Sequence, residues 1–376
     1  MRTLIVGPRR DLCTALAAER IPYVVWASTK SRFPSAEAVH LAPIAVGRKK
    51  ALHEAEALSA LGPFAHVIAG TETAVVAASV ARRMLGARLS PHATVIRCHD
   101  KLFMKQHLVE RGIPMATFVR PEDDIDAAAV VERLGLPVVV KPRAMSGGRE
   151  IEIVRDIDTL RRTPLRARLL ESYVDAPEIS VESFVNGGRI LFENITEYTR
   201  KTFVNVVPGA IDAAEREALL ALNRDVIRAL AIQWGMTHME VFRTEDGPLF
   251  GEIALRPPGG RIMDLIELVW RFDPWRAFVS VEVDRPFEFP ETPRQHAAAM
   301  ILHPGPGTIA AVNGVKKIRK LDAVVAAHVK ARVGDIVAPR AGVADSVGYV
   351  LLRAPTRAAL MEACQHVEGL LRIELA

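Results

Sequence analysis

The segment GEIALRPPGGR, residues 251–261, carries two side chains that could act on a charged substrate. Glu252 and Arg256 stand four positions apart, and two prolines and two glycines follow directly. On a helix this spacing gives an ordinary solvated ion pair. If the two groups are held apart, the carboxylate could instead bind a metal ion and the guanidinium could bind an anionic group. The choice depends on the element that carries the segment.

A β-hairpin is the element that the surrounding residues predict. Two β-rich runs flank the turn dipeptide at 246–247 in THMEVFRTEDGPLFGEIALR, and the prolines that follow forbid a helix beyond the second run. Pairing Arg243 with Leu249 across a five-residue loop sets Glu240 opposite Glu252. In a strand, side chains two and four positions apart share a face, so Arg256 is predicted to lie on the face of Glu252.

Two carboxylates directly opposite on a ladder destabilise it unless positive charge lies between them. Mg²⁺ prefers one or two carboxylates together with nucleotide phosphates, so Glu240 and Glu252 are predicted to hold Mg²⁺, with Mn²⁺ as an alternative. The other interpretation is a pair splayed into water in a register one residue different. Arg256 is then predicted to contact phosphate or carboxylate. His238, beside Glu240, either contacts substrate or is an ordinary hairpin histidine.

Two lysines and a glycine loop suit a bound nucleotide. In LPVVVKPRAMSGGRE, Lys141 ends an apolar strand just before Ser146, Gly147 and Gly148, where small residues let backbone N–H groups approach phosphate oxygens. A glycine-rich hairpin turn explains the same residues equally well. Lys101 stands at a predicted helix start behind a capping aspartate, and taken alone it is an ordinary surface lysine.

The stretch ESYVDAPEISVESF supplies a third group of candidates. Glu171 and Glu178 bracket an apolar hinge that contains Tyr173 and Val174. Backbone groups of such a hinge could bind the edge of an adenine, and a carboxylate could accept hydrogen bonds from ribose hydroxyls.

The elements that must position these residues follow an α/β pattern. Residues 1–96 alternate strands and helices, which predicts a parallel doubly wound half-domain. Gly7 closes the first strand, but GPRRDL is not GxGxxG, so a structural role is favoured over a dinucleotide site. Helices and strands follow from about residue 97, and residues 291–376 form a last α/β piece.

Composition limits the class of protein. The chain has 376 residues, 49% of them hydrophobic and 25% charged, which predicts a globular protein of two or three domains. No apolar run is long enough for a membrane span, and MRTLIVGPRR predicts a strand and a turn rather than a signal peptide. Three isolated cysteines favour a reducing cytoplasm. The net charge of +5 is spread in short clusters, which suits small anionic ligands rather than nucleic acid.

Taken in order, five segments resemble the ATP-grasp superfamily of carboxylate–amine ligases over roughly residues 95–290: DKLFMKQHLVERGIP, VVVKPRAMSGGREI, LLESYVDAPEISVESF, GMTHMEVF and GEIALRPPGG. The late stretches GTIAAVNGVKKIRKL and VGDIVAP are most similar to the branch of L-amino-acid (dipeptide) ligases and biotin-carboxylase-like enzymes. The resemblance implies an α/β fold with an N-terminal parallel half-domain (1–96), a central domain (97–290) and a small C-terminal α/β domain (291–376). The central domain is expected to hold two sheet-bearing subdomains, one of them an α+β lid at about 136–200.

The resemblance also implies a role for each candidate residue. Ala254 departs from the pattern, because many members place an asparagine there; either the two glutamates alone hold metal, or a backbone or water oxygen completes the set. Gly259 and Gly260 are expected to let backbone approach substrate, with His238 nearby. The implied roles are phosphate contacts for Lys101 and Lys141, the mobile loop for Ser146, Gly147 and Gly148, the adenine hinge for Glu171, Tyr173 and Val174, ribose for Glu178, magnesium for Glu240 and Glu252, and the acyl-phosphate region for Arg256.

The implied activity is ATP-dependent amide formation. The γ-phosphate of ATP would activate a carboxylate as an acyl phosphate, with ADP released, and an amine would then attack. Small-molecule carboxylate and amine partners are expected, amino acids foremost, in a cytoplasmic protein without nucleic-acid or membrane partners; a homodimer is compatible. Two alternatives stay open: a purine-pathway-like ligase that uses formate or bicarbonate with a ribosyl amine, and a catalytically silent ATP-binding regulator.

Overall fold

The computed structural model of the chain describes residues 2–44, 47–88, 91–120, 126–145, 147–148, 150–199, 204–340, 342 and 345–376. Over these residues the fold is mixed α/β, as predicted, with a parallel sheet at the N-terminus and antiparallel sheets elsewhere. None of the helices described there combines the length and the apolar character that crossing a membrane requires.

The N-terminal part is a parallel sheet with helices on its faces. Its inner strands are apolar at nearly every position because both faces are covered. The strands are β1 (Arg2–Val6), β2 (Tyr23–Ala27), β3 (Ala38–Leu41) and β4 (Phe64–Ala69), in the order β3-β2-β1-β4. The helices are α1 (Arg10–Ala18), α2 (Arg48–Ser59) and α3 (Val75–Met84), with a 3₁₀ turn at Glu72–Ala74 between β4 and α3.

A small antiparallel sheet follows two helices. The helices are α4 (His92–His99) and α5 (Lys101–Val109). The strands are β5 (Phe118–Val119), β6 (Val138–Pro142), β7 (Glu152–Val154) and β8 (Arg168–Ser172), in the order β5-β8-β6-β7, with α6 (Ala127–Leu134) and α7 (Ile157–Arg162) between them in sequence. The apolar sides of β6, β8 and α6 share one buried cluster, so this sheet has its own core.

An eight-stranded antiparallel sheet runs through the rest of the molecule in the order β13-β12-β9-β10-β11-β14-β18-β16. Its strands are β9 (Glu178–Asn186), β10 (Arg189–Thr199), β11 (Val204–Val207), β12 (Trp234–Thr244), β13 (Gly247–Ala254), β14 (His296–Leu302), β16 (Val324–Val329) and β18 (Gly348–Ala354). Helices α8 (Ala213–Ala229), α9 (Ile262–Trp270) and α10 (Pro274–Glu282) lie between these strands in sequence. The sheet therefore continues through the expected domain boundary near residue 290.

The C-terminal part adds a three-stranded antiparallel sheet. Its strands are β15 (Gly307–Asn313), β17 (Ile336–Val337) and β19 (Arg372–Leu375), in the order β17-β15-β19. Helices α11 (Val315–Ile318) and α12 (Arg357–Leu370) complete this part.

One apolar core joins the N-terminal half-domain to the long sheet. Leu16 of α1, Phe184 of β9, Ile266 of α9 and Phe278 of α10 belong to the same buried cluster. Because such a core excludes water, it holds one face of the parallel sheet, with α1, against the long sheet and its helices.

The hairpin of β12 and β13 forms as predicted, but its turn is tighter. Thr244 pairs with Gly247, which leaves a loop of two residues instead of five. Arg243 consequently lies opposite Pro248 and not opposite Leu249, so the predicted pairing near the tip is wrong by one residue. The physical reason is that Gly247 pairs directly after the two loop residues with a φ of +119°, a backbone conformation that glycine adopts readily.

A bulge restores the predicted register at the carboxylates. Val241 pairs with Phe250, but the next pair is Glu240 with Glu252, so Gly251 is the extra residue of the bulge. A Cβ atom at Gly251 would lie 2.9 Å from the Glu240 carbonyl oxygen, which explains the absence of a side chain there. The prediction that the two glutamates face each other is confirmed.

Candidate functional site

The candidate residues meet where the two antiparallel sheets adjoin. Lys141 of β6 and Glu171 of β8 come from the four-stranded sheet, whereas Glu240 and Glu252 come from the eight-stranded sheet. Residues 173–177 connect β8 to β9 and thereby link the sheets. Charges from both sheets act on one another across this junction, so the chain brings them into one electrostatic site.

Lys101 begins helix α5 and is buried, in contrast to the surface lysine considered from the sequence alone. The Asp100 carboxylate caps the helix by accepting hydrogen bonds from the backbone N–H groups of Leu102 and Phe103, as predicted. The Lys101 Nζ atom lies 3.2 Å from Glu252 Oε2 and also donates to the Met145 carbonyl. It therefore links one of the two facing carboxylates to the loop after β6.

The start of the glycine loop is held against helix α5. Arg143 Nη2 donates to Asp100 Oδ2 at 2.7 Å, and the Lys101 backbone N–H donates to the Arg143 carbonyl at 2.8 Å. Gly147 and Gly148 are exposed and have φ angles of +75° and +72°, which favour glycine. Ser146 lies outside the described residues. The loop is therefore fixed to α5 at Arg143, and its two described glycines are exposed to solvent.

Glu171 forms the centre of a buried lysine pair. Its Oε1 lies 2.9 Å from Lys105 Nζ and its Oε2 lies 2.7 Å from Lys141 Nζ. Burial raises the pKa of Glu171, but the two lysines outweigh burial and the net pKa is lowered. Burial lowers the pKa of Lys141, but Glu171 and the other carboxylates outweigh it and raise the net value. Lys141 is thus held as a cation.

Lys105 is a site residue that sequence reasoning missed. It is among the largest fully buried side chains, and burial, opposed by Glu171, lowers its pKa. The available signal was its place on the apolar face of the predicted helix, one turn after Leu102.

The predicted hinge is the irregular segment between β8 and β9. The Tyr173 backbone N–H donates to the Pro137 carbonyl at 3.2 Å, which ties the start of the segment to the four-stranded sheet. Val174 lies in the same irregular stretch. A connection between two sheets is the position that a hinge requires, and the contact of Tyr173 and Val174 with adenine stays a prediction.

Glu178 begins β9 at the far side of this connection. Burial, together with the charges of Glu240 and Glu252, raises its pKa to about 7. Lys141 acts in the opposite direction but does not compensate. The region therefore carries an excess of negative charge that a cation would relieve.

Glu240 and Glu252 form a donor set that fits a small hard cation. They are direct partners across β12 and β13, and their side chains are 33% and 23% exposed, so both are accessible. No group of three or more metal-ligating side chains occurs in the described part of the chain. Two carboxylates with open positions are what Mg²⁺ uses when nucleotide phosphates complete its coordination. Ala254, which departs from the asparagine expected from the resemblance, presents only a buried methyl group.

His238 lies beneath Glu240 in a buried polar network. Its Nδ1 atom is 2.9 Å from Glu182 Oε1, and its Nε2 atom is 3.4 Å from Glu240 Oε1 and 3.3 Å from Tyr198 Oη. Burial lowers the pKa of His238, but Glu182 and Glu240 outweigh it and raise the value to about 9. Both ring nitrogens are thus engaged by protein groups.

Glu182 is a second residue that sequence reasoning missed. Its fully buried carboxylate accepts hydrogen bonds from Ser180 Oγ at 2.6 Å, Asn194 Nδ2 at 2.6 Å and Thr196 Oγ1 at 2.7 Å. The signal was the two-residue period of EISVESF, which places Glu182 on the strand face of Glu178. This network fixes the orientation of His238 and, through it, of Glu240.

Arg256 takes a different position from the one predicted. Strand β13 ends at Ala254, so the prediction that Arg256 shares a strand face with Glu252 is wrong. The prolines at 257 and 258 end the ladder, and the guanidinium turns toward the parallel sheet instead. Its Nε atom donates to Glu72 Oε2 at 2.6 Å and its Nη1 atom donates to the Pro257 carbonyl at 3.0 Å.

Glu72, the partner of Arg256, was also missed. It begins the 3₁₀ turn that follows β4, at the carboxyl end of the parallel sheet, where ligand-binding groups of such sheets collect. Its other oxygen lies 2.9 Å from His99 Nδ1. Burial raises the pKa of Glu72, but His99 and Arg256 outweigh it and lower the value to about 2. An ionised Glu72 therefore holds Arg256 against the carboxyl end of the parallel sheet.

The two glycines after Arg256 form the turn that leads into α9. Gly260 has a φ of +57°, and its carbonyl accepts a hydrogen bond from Asn205 Nδ2 at 2.7 Å. A Cβ atom at Gly259 would meet no other atom within 4 Å. The backbone is therefore open at Gly259 and held at Gly260.

Two stretches of the chain match known families. Residues 106–260 match the ATP-grasp domain, and residues 299–376 match the L-amino acid ligase C-terminal domain 2. The L-arginine-specific L-amino acid ligase of Bacillus subtilis is 26% identical over 297 residues, which cover 74% of this chain and 72% of that protein.

Solved structures share the whole architecture. The L-amino acid ligase of Bacillus licheniformis superposes with a TM-score of 0.85 at 18% identity and covers 100% of this chain and 98% of its own. Carboxyaminoimidazole ribonucleotide synthase of Aspergillus clavatus, solved with ATP, gives a TM-score of 0.78 at 18% identity, with 98% of each chain covered. At these identities the likeness establishes the fold.

Proposed function

Because the chain belongs to the ATP-grasp family and carries the C-terminal domain of the L-amino acid ligases, we propose that it joins two amino acids through an amide bond. Its enzyme class is that of the ADP-forming C–N ligases. In the proposed reaction, ATP activates a carboxylate as an acyl phosphate, and an amine then attacks this acyl phosphate. An amino-acid pair is favoured because the match of the C-terminal domain and the similarity to the Bacillus subtilis enzyme both indicate L-amino acid ligases.

The observation that carries the proposal is the meeting of the charged residues at one junction. Lys101 and Lys141 provide fixed cations, and Glu240 and Glu252 provide facing carboxylates. A nucleoside triphosphate can interact with both the cations and the carboxylates. Its phosphates bind lysines directly and bind carboxylates through a divalent cation.

The lysines are proposed to bind and orient the phosphates. Lys101 is ion-paired with Glu252, and Lys141 is ion-paired with Glu171, so both ammonium groups are held close to the boundary of the two sheets. Positioning and charge neutralisation dominate phosphoryl transfer, since little covalent chemistry falls to the protein.

Glu240 and Glu252 are proposed to hold magnesium, and Mn²⁺ could occupy the same oxygens. When bound, the ion would neutralise phosphate charge and orient the transferred group. The network of Glu182 and His238 would keep the Glu240 carboxylate in place for this task.

Arg256 is proposed to stabilise the reacting carboxylate or phosphate. Its contacts with Glu72 and the Pro257 carbonyl fix the guanidinium, while no hydrogen bond to a described residue engages its Nη2 atom. The glycine loop and the four-stranded sheet would close over the site as a lid. They include only the first part of the lid predicted at about 136–200, because β9 and β10 belong to the eight-stranded sheet. Closure protects an acyl phosphate, because it excludes the water that would hydrolyse it.

Product analysis tests the reaction. We expect sustained release of ADP and phosphate only when a carboxylate and an amine are both supplied, because the amine must displace phosphate from the acyl phosphate before the enzyme can turn over again. A screen of amino-acid pairs for phosphate release, followed by chromatography of the nucleotides, measures this. Release of AMP and pyrophosphate would rule out the acyl-phosphate route.

A variant of one carboxylate tests the metal assignment. Glu252→Gln removes one anionic donor, so we expect magnesium-dependent turnover to fall by about 10²-fold or more. Glu245→Gln, on the exposed tip of the same hairpin, is the matched control and should retain turnover. Unchanged activity in Glu252→Gln across a magnesium titration would contradict the assignment.

A further inference from the structure

A cavity of about 930 Å³ lies apart from the junction of the two antiparallel sheets. It opens at the carboxyl ends of β1, β2 and β4 and is lined in part by Gly7, Ser28 and Thr71. In open α/β sheets, ligands bind at this end of the strands. Its volume falls within the range of small-molecule sites.

The lining of the cavity is cationic and rich in donors. Arg10 and Arg32 are exposed at its rim, and five lining residues carry hydroxyl groups. None of the described lining residues is acidic. Within the described chain neither guanidinium forms an ion pair, so both are available to an anion. Guanidinium and hydroxyl groups together suit carboxylate or phosphate oxygens.

Close backbone packing holds the floor of the cavity. A Cβ atom at Gly70 would lie 2.3 Å from the Gly7 carbonyl oxygen, and one at Gly7 would lie 2.5 Å from Thr71 Oγ1. Glycine at both positions lets the ends of β1 and β4 approach each other. Thr71 is thereby placed at the cavity wall.

The cavity adjoins the segment that carries Arg256, through residues next to its lining. Thr71 and Thr73 line it and flank Glu72, whose carboxylate binds Arg256 at 2.6 Å. Arg9, next to two lining residues, donates to the Pro258 carbonyl at 3.1 Å. Residues next to the cavity lining therefore contact the segment that follows β13. Lys101 lies on α5 and Lys141 lies on β6 of the four-stranded sheet, and neither lines the cavity.

Resting on the proposed function, we propose that this cavity binds the amine substrate, and that Arg10 and Arg32 select an amine that bears an anionic side group. One guanidinium can bind the single carboxylate of a neutral amino acid in a bidentate manner. A second guanidinium, five hydroxyl groups and about 930 Å³ of space exceed what such a substrate uses. A side-chain carboxylate or a phosphate would use them.

Ligand binding tests the cavity without requiring turnover. Isothermal titration would compare L-glutamate with L-glutamine and O-phospho-L-serine with L-serine. We expect the anionic member of a pair to bind about tenfold or more tightly, since a charge-assisted bidentate contact is gained, and the gap to shrink as salt is raised. A preference confined to one pair identifies the carboxylate or the phosphate as the recognised group.

The arginine variants assign the preference to the cavity. Arg10→Gln/Arg32→Gln should abolish the difference within each pair, and Arg10→Lys/Arg32→Lys should restore part of it. Arg83→Gln, an exposed position on α3 outside the cavity, is the matched control and should keep the wild-type difference. Thermal unfolding of each variant checks that it is folded. Equal binding of both members by the wild-type protein, or a preference that survives the double glutamine variant, would overturn the proposal.

Turnover separates this inference from the proposed ligase function. ADP release measured with the same four amines and a fixed carboxylate should favour the anionic ones. Equal turnover with neutral and anionic amines would contradict the inference and leave the ligase function intact. Arginine-dependent binding without ADP release from any amine would support the anion site and count against the ligase function.

Discussion

Glu72 shows how a single side chain connects distant parts of the molecule. It follows the last strand of the parallel sheet, yet it binds His99 at the end of α4 and Arg256 beyond β13. The His99 imidazole and the Arg256 guanidinium around one largely buried carboxylate explain why it is held ionised. They also explain why Arg256 stands away from Glu252, with which it shares a stretch of sequence.

The titration of Glu72 gives a prediction about stability. Its pKa falls from an ordinary 4.5 to about 2, so the ionised group stabilises the folded state fully above pH 4.5 and loses that effect as pH falls toward 2. At neutral pH the contribution is at most about 3 kcal/mol, and Glu72→Gln should lose it. The difference in unfolding free energy between wild type and variant should shrink below pH 4.5.

Urea unfolding at pH 7, 5 and 3 measures that difference. Glu56→Gln, an exposed position on α2, serves as the control and should match the wild type at each pH. If the deficit of Glu72→Gln stayed constant down to pH 3, the two ion pairs would not be its cause.

The β12–β13 hairpin shows, at the scale of an element, how one residue decides a register. The two-residue turn alone would place Glu252 out of line with Glu240, and the bulge at Gly251 corrects it by one position. Without the bulge, a one-residue slip would turn Glu252 to the opposite face of the sheet. The paired carboxylates therefore depend on a glycine that carries no chemistry.

Gly251→Ala tests this dependence. The new Cβ would lie 2.9 Å from the Glu240 carbonyl oxygen, so the strands must separate or the bulge must move. We expect a loss of about 1–3 kcal/mol in unfolding free energy, as for other overpacked sites. Turnover should fall more than ATP affinity, because the carboxylates move while the lysines stay.

Gly369→Ala is the control for that substitution. It lies in α12, where a Cβ atom meets nothing within 4 Å, so stability should be unchanged or slightly higher. Wild-type turnover in Gly251→Ala would show that the bulge does not position Glu252.

At the scale of the whole molecule, a buried ion pair joins the N-terminal half-domain to the long sheet. Arg82 of α3 lies 3.3 Å from Glu282 of α10, and both side chains are buried. Arg82 also donates to the Val67 carbonyl of β4 at 2.8 Å. This pair and the shared apolar core hold the Glu72 side of the site against the β13 side.

Removing one partner of this pair should cost more than removing both. Arg82→Met leaves the Glu282 carboxylate buried without its partner, and we expect a loss of about 3–5 kcal/mol. Arg82→Met/Glu282→Leu should recover most of the loss, because no charge then remains to be desolvated. Chemical denaturation of both variants measures the difference, and a double variant as unstable as the single one would contradict this account.

The order of residues along the chain was enough to predict the architecture, the family and part of the candidate site. Two-residue and helical periods predicted the α/β architecture, and the order of lysine, glycine-loop and glutamate segments predicted the ATP-grasp family. The facing pair of Glu240 and Glu252 was also predictable, because both strands of a hairpin are adjacent in sequence.

Tertiary structure alone decided the remaining contacts of the site. Lys105 with Glu171, and Arg256 with Glu72, join residues 66 and 184 positions apart, and local patterns carry no information about such pairs. The bulge at Gly251 was hidden for another reason: a short turn and an extra residue offset each other, so only the ladder itself reveals them. Sequence determines which elements form, whereas packing between elements determines which charges meet.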